Sequence, residues 1–190
     1  RVVAGDASSS GVKMGVKIDD LPIEPLTCVA NFLSLPSRAM FAVALATTPF
    51  SDDGLSTENS RKIVGDECDT LDFGHIEKDL AEKLKDDDIY NILRCVDAVN
   101  TLKIFRLTNC VNTSGAGLEP LRGSQIIEII DLSLVAEHED QLSCSPPISC
   151  ELVLPIFDSI IVEGSALKHL QLPLHWLQTI DTHSDFSLFV

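Results

Sequence analysis

His138, Glu139 and Asp140 stand side by side and offer three side chains able to ligate a divalent cation. A tetrahedral zinc site needs a fourth ligand, from protein or water, at an interval the chain can fold to. No fourth side chain lies at a useful spacing, so the triplet reads as a solvated polar loop. His169, His175 and His183 fall further along, and His175-Trp176 reads as packing for the edge of the last structural unit. The six cysteines are Cys28, Cys68, Cys95, Cys110, Cys144 and Cys150, and none forms a Cys-x-x-Cys pair. That argues against zinc and for buried free thiols in a reducing compartment, cytoplasmic or nuclear. Cys144 and Cys150 flank a loop and would be free to pair in an oxidising one. A cysteine nucleophile needs a setting that lowers its pKa, and no such setting is visible. Gly115-Ala116-Gly117 is too short for a phosphate loop and reads as a turn. The chain also lacks a Gly-x-Ser-x-Gly elbow, a P-loop and a His-Glu-x-x-His pair. Asn112-Thr113-Ser114 fits a glycosylation sequon, read as incidental inside a turn of a reduced protein. The expectation is a binding protein, with no enzymatic activity, no cofactor and no metal.

Composition narrows the partners. Of 190 residues, 29 are acidic and 14 basic, a formal net charge of −15. Phosphate backbones and anionic lipid surfaces both call for surplus Lys and Arg, so neither nucleic acid nor membrane is expected. The apolar run 39–47 is too short to span a bilayer. Hydrophobic residues make up 45%, enough for a sizeable core. The opening Arg1-Val-Val-Ala-Gly has no secretory layout and reads as part of a longer chain.

The elements that must position any binding residue come from one recurring pattern. Leu102-Lys-Ile-Phe-Arg-Leu107, Ile127-Glu-Ile-Ile-Asp-Leu132 and Leu167-Lys-His-Leu-Gln-Leu172 share apolar-x-x-apolar-x-apolar, and Cys68-Asp-Thr-Leu-Asp-Phe73 is a fainter copy. Successive copies lie 34, 25 and 40 residues apart. Such periods point to stacked units, each burying an apolar face on its neighbours. Each unit reads as strand, turn, helix and return, with parallel strands lining a concave face. The first interval holds helical patterns at Ile76 to Leu84 and Asp87 to Val99. In the second of these Ile89, Ile92, Leu93 and Val96 share one face. In the last interval Leu152, Ile156 and Ile160 align on a helix that starts near Pro155 or is kinked by it.

Four regions follow: a flexible tail at 1–19, a small helical module at 20–48, a linker at 49–67 and the repeats at 68–190. In the module, Pro22 suits the first turn of a helix carrying Leu26, Val29, Ala30 and Leu33. Leu35-Pro36-Ser37 reads as a break, with Ser37 capping a second helix that carries Met40, Phe41, Ala44 and Leu45.

In register, the outward strand positions form three rows. These are Thr70, Ile104, Ile129 and His169; Asp72, Arg106, Asp131 and Gln171; and Gly74, Thr108, Ser133 and Pro173. Arg106 should lie between two acidic neighbours, an ion-pair ladder that relieves charge. The Ile104-Ile129 pair suggests contact with a partner.

Leu21-Pro22-Ile23-Glu24-Pro25-Leu26, then Val29, then Phe32-Leu33, resembles the opening helix of an F-box, which typically begins Leu-Pro-x-Glu with spaced apolar residues and an aromatic-Leu pair. Arg38 stands where Leu is usual, and Thr47-Thr48-Pro49 replaces a Trp-containing end. Leu102-x-x-Phe105-x-Leu107-Thr108-Asn109-Cys110, with Gly117-Leu118 following, is similar to the cysteine-containing class of leucine-rich repeat. The pair of resemblances implies an α/β fold, an F-box-like helical module followed by a short leucine-rich-repeat solenoid. The function implied is that of the substrate-recognition subunit of an SCF-type cullin-RING ubiquitin ligase. Leu21, Pro22, Glu24, Leu26, Val29, Phe32 and Leu33 would then meet a SKP-type adaptor and through it a cullin. Within that set, Leu21, Pro22 and Leu26 are expected to anchor the adaptor, and Phe32 and Leu33 to close the inner core. An unknown target protein would lie on Ile104, Arg106, Thr108, Ile129, Asp131, Ser133, His169 and Gln171. The alternative is a repeat scaffold whose helical module is a mere cap, packed on the repeats and exposing few apolar side chains.

Overall fold

The computed structural model describes residues 21–45, 62–65, 68–134, 148–162, 164, 166–173 and 176. The chain forms a mixed α/β structure around one parallel sheet of four strands, in the order β1-β2-β3-β4. The strands are β1 (Thr70–Asp72), β2 (Ile104–Arg106), β3 (Ile129–Asp131) and β4 (His169–Gln171). Thr70 aligns with Ile104, Ile104 with Ile129 and Ile129 with His169, the register that the recurring pattern predicts.

Three apolar positions per copy become three ladders. Leu71, Phe105 and Ile130 are fully buried at the strand centres. Phe73, Leu107 and Leu132 follow two residues later, and Cys68, Leu102 and Ile127 come three residues before; all six are buried. The ring of Phe105 meets that of Phe73 edge to face, with centroids 6.3 Å apart. On β4 the ladders weaken: Leu167, Leu170 and Leu172 are only half buried.

The helices are α1 (Ile23–Ala30), α2 (Leu35–Leu45), α3 (Lys78–Ala81), α4 (Asp86–Cys95), α5 (Ala98–Thr101) and α6 (Cys150–Val162). A layer of them stacks in the same order as the strands. α2 contacts α4, α4 contacts the 3-10 helix Ala116–Leu121, and that helix contacts α6. Ile89, Ile92, Leu93 and Val96 are all buried, as their shared face predicts. The stretch expected as one helix from Asp87 to Val99 is instead two, because Asp97 takes a left-handed φ of 54°. Aspartate tolerates that conformation better than most residues, and its carboxylate accepts a bond from Asn100 Nδ2 at 3.0 Å.

Several expected elements shift. Ile76 to Leu84 holds only the short α3, preceded by a 3-10 turn at Phe73–His75. The 25-residue unit has room only for a 3-10 helix in its helix slot. Leu35-Pro36-Ser37 does not break a helix but begins α2, since proline in a first turn forfeits no helical bond. Leu33 lies beyond α1, and the buried face of α2 is Pro36, Ala39 and Ala42. Ala44 is exposed there, whereas the small Ala39 and Ala42 let α2 approach closely. On α6 the buried stripe is Val153, Ile156, Phe157 and Ile160, while Leu152 is exposed and Pro155 lies inside the helix. Residues 1–20, the end of the helical module and most of the linker at 46–61, together with the 135–147 loop carrying His138, Glu139, Asp140 and Cys144, lie outside the described residues. His175 and His183 also lie outside them. Among the described residues no helix is long and apolar enough to cross a membrane.

Candidate functional site

The outward face of the sheet gathers the residues expected to meet a target. Ile104, Arg106, Ile129 and Asp131 are half exposed there, as are Thr108 and Ser133 just beyond the strands; His169 and Gln171 are exposed on β4. Of the two acidic neighbours of Arg106, only Asp72 pairs with it, at 3.2 Å. Asp72 is the better partner because it is fixed in place. Its Oδ1 accepts the Gly74 amide at 2.8 Å and the Thr108 hydroxyl at 3.3 Å. Asp131 repeats the turn two strands along, accepting the Ser133 amide on Oδ1 at 2.9 Å.

A further charged row precedes the strands. Asp69, Lys103, Glu128 and Lys168 occupy equivalent positions and alternate in sign, with Lys103 to Asp69 at 3.7 Å and Lys168 to Glu128 at 2.8 Å. The backbone repeats there too. The carbonyl of Asp69 accepts the amides of Lys103 and Ile104, that of Lys103 accepts Glu128 and Ile129, and that of Glu128 accepts Lys168 and His169. Sequence reasoning missed this row. Its signal was the residue after the first apolar position of each copy, whose sign flips from unit to unit.

Asp86 opens α4, and its side chain reaches across to the segment 114–117. Its carboxylate accepts the amides of Ser114 at 2.9 Å and of Gly115 and Gly117 at 3.0 Å. Burial by itself raises its pKa, but these bonds prevail and hold the carboxyl below its ordinary value. Glycine is required at this junction. A Cβ at Gly117 would meet the Asp86 carbonyl oxygen at 2.5 Å, and one at Gly115 would collide with Val153.

The amino-terminal helix divides its apolar residues. Leu26 is only 7% exposed and Ala30 is fully buried, whereas Leu21 is 40%, Val29 54% and Phe32 91% exposed. Pro22 and Glu24 are exposed, and Leu33 is half buried. This corrects two expectations: Leu26 faces inward and is not available to an adaptor, and Phe32 projects outward instead of closing a core. The first follows from helix geometry, which puts Leu26 and Ala30 on the side facing the fold and Val29 on another; Phe32 lies past the end of α1, in the turn before α2. Arg38, the departure from the pattern, ties the hairpin together. Its Nε donates to the Ala30 carbonyl at 3.1 Å, and its other nitrogens donate to Val64 at 3.0 Å and Leu33 at 3.4 Å. The guanidinium thereby links the end of α1 and the turn after it to the segment at Val64.

The thiols split as well. Burial, with the Cys95 thiol and Asp69 adding to it and Arg38 opposing, pushes Cys68 up to about 12. Burial pushes Cys110 to about 12, so both stay protonated and unreactive near neutral pH. Cys28 and Cys150, expected to be buried, are exposed and free. Trp176 is buried and donates its indole N–H to the Ile148 carbonyl at 3.0 Å, closing the last unit as expected.

A cavity of about 340 Å³ lies on the helical side, lined by Tyr90, Arg94, Asp97 and Glu119 among others. Among the described residues no three His, Cys, Asp or Glu side chains gather as a metal site would require. Comparison of the chain with protein families, with curated proteins and with solved structures gives no match.

Proposed function

We propose that the chain is a non-catalytic receptor: α1 and α2 form an F-box-like module that docks on a SKP-type adaptor, and a leucine-rich-repeat array holds a target protein on its sheet. In this reading it is the substrate-recognition subunit of an SCF-type cullin-RING ubiquitin ligase. The observation that carries it is the apolar edge Leu21, Val29 and Phe32. A helical segment that buries Leu26 and Ala30 yet leaves Val29 on α1, Leu21 just before it and Phe32 just after it in solvent has the makings of an anchor for a partner's groove. The sequential stacking of strands and helices supports the repeat half of the reading, since a solenoid brings each unit against its neighbours. The location that goes with this reading is the cytoplasm or nucleus.

A second reading draws on α2, which lies against α4 and β1 as a cap would. A cap covers the first unit and leaves α1 idle, giving a binding scaffold with no ubiquitin role. Affinity capture of a purified SKP-type adaptor by the full chain separates the two. The receptor reading expects capture that is lost on Val29→Asp and Phe32→Asp, both surface changes that leave the fold intact. A folded wild-type chain that captures no adaptor leaves the scaffold.

A further inference from the structure

Charges on the outward sheet face cancel strand by strand, except at one place. In the row before the strands, β1 pairs with β2 through Asp69 and Lys103, and β3 pairs with β4 through Glu128 and Lys168. In the row through the strands, Asp72 pairs with Arg106, but Asp131 on β3 faces Gln171 on β4, where the alternation calls for a cation. Arg106 is the other neighbour of Asp131 and is already engaged by Asp72. Among the described residues no cation pairs with Asp131, whose Oδ1 holds the Ser133 amide. The row thus keeps one uncompensated negative charge between β3 and β4, next to the half-exposed Ile129 and Ile104.

We propose that this face binds a protein segment that presents a Lys or Arg side chain to Asp131 and rests an aliphatic side chain on Ile104 and Ile129. The inference rests on the reading of the sheet as the target-binding surface and adds the chemistry of the target. Strand spacing of about 4.8 Å puts the carboxylate and the isoleucine pair within one extended segment's reach. Complementary charge selects the partner: an acidic segment meets Asp131 unscreened, and the chain's net charge of −15 repels it further. A basic segment fills the position that Gln171 leaves neutral.

The test is selection of a random peptide library displayed on phage against the immobilised full chain, followed by titration of the recovered peptides. Two variants approach the same site from opposite sides. Asp131→Asn keeps an oxygen for the Ser133 amide and removes only the charge; Gln171→Lys supplies the missing cation from within. Recovered peptides are expected to carry Lys or Arg beside Leu, Ile or Val, and each variant is expected to weaken them about tenfold. Thermal melts should stay within about 3 °C of wild type, showing that the fold is retained. Peptides without basic residues, affinities that survive both substitutions, or no recovered peptide at all would overturn the proposal. Adaptor capture by α1 is read in a separate assay, so it reports on the ligase reading whatever happens at the sheet.

Discussion

In the sheet, Leu71, Phe105 and Ile130 are wholly buried, each beside its counterpart on the next strand; on α1 and in the turn after it, Val29 and Phe32 stay in solvent a few residues from the buried Leu26 and Ala30. Both regions carry dense apolar sequence. The first three strands bury all of their inward positions because each strand supplies the next one's cover. The helix has the fold on one side only, and its remaining apolar residues have no described neighbour to bury against. Apolar content alone therefore does not separate core from docking surface. The number of elements that can surround a position does.

The largest effect that tests this contrast is a pair of truncations. Phe105→Ala removes a ring packed against Phe73 at the centre of the sheet and should cost about 3–5 kcal/mol. Phe32→Ala removes a ring that is 91% exposed and should change stability by less than about 0.5 kcal/mol. Urea unfolding of the two variants reads both. A cost above about 1.5 kcal/mol at Phe32 would mean that the chain itself covers this edge, and the adaptor proposal would lose its surface.

That pair also marks how far the sequence could be read. The strands were legible because one pattern recurs and the copies must agree: a register that aligns Leu102 with Ile127 also aligns Phe105 with Ile130. The inward and outward sets then follow from a period of two. On α1 no second copy exists to settle the phase. Leu21, Leu26, Val29 and Phe32 matched a motif, but a motif does not say which side the remainder of the fold lies on. Arg38 looked like a flaw in the pattern because its partners are backbone carbonyls, Ala30 and Leu33 nearby and Val64 26 residues on, and no residue type marks them in the sequence. The role of Asp86 is not legible in the sequence, since a bond to residues 28–31 positions away leaves no mark on local spacing.

Asp86 sharpens the comparison from the other side, as a polar tie between stacked units. Asp86→Ala removes the acceptor for three amides and should cost about 1–3 kcal/mol. The wild type should show a matching pH dependence. The folded pKa of Asp86 lies below the unfolded one, near 3.8, so its contribution is complete above that value. It is lost as the pH falls from there through the folded pKa. Urea midpoints measured from pH 6 down to pH 3 should therefore drop more steeply in wild type than in Asp86→Asn, whose amide does not titrate. Parallel curves would show that the three bonds do not favour the carboxylate.

The smallest effect lies on the outward face, where Arg106 and Asp72 pair at 3.2 Å. The guanidinium is 40% exposed and the carboxylate 13%, so water screens one partner far more than the other. A double-mutant cycle with Arg106→Gln and Asp72→Asn should give a coupling of about 0.5–1 kcal/mol, shrinking in 1 M salt. The single substitutions should be unequal. Asp72→Ala also abandons the Gly74 amide and the Thr108 hydroxyl, whereas Arg106→Ala strands a carboxylate that keeps both. Asp72→Ala should thus cost more by about 1 kcal/mol. The same inequality predicts where Arg106 goes when Asp72 is lost: its next carboxylate is Asp131, in register on β3. Asp72→Ala should then neutralise the one open charge on the face and weaken a basic partner. Arg106→Ala should leave Asp131 open and the partner bound at least as tightly as before. If both substitutions weaken it alike, the partner depends on the strand ends at large and not on the charge of Asp131.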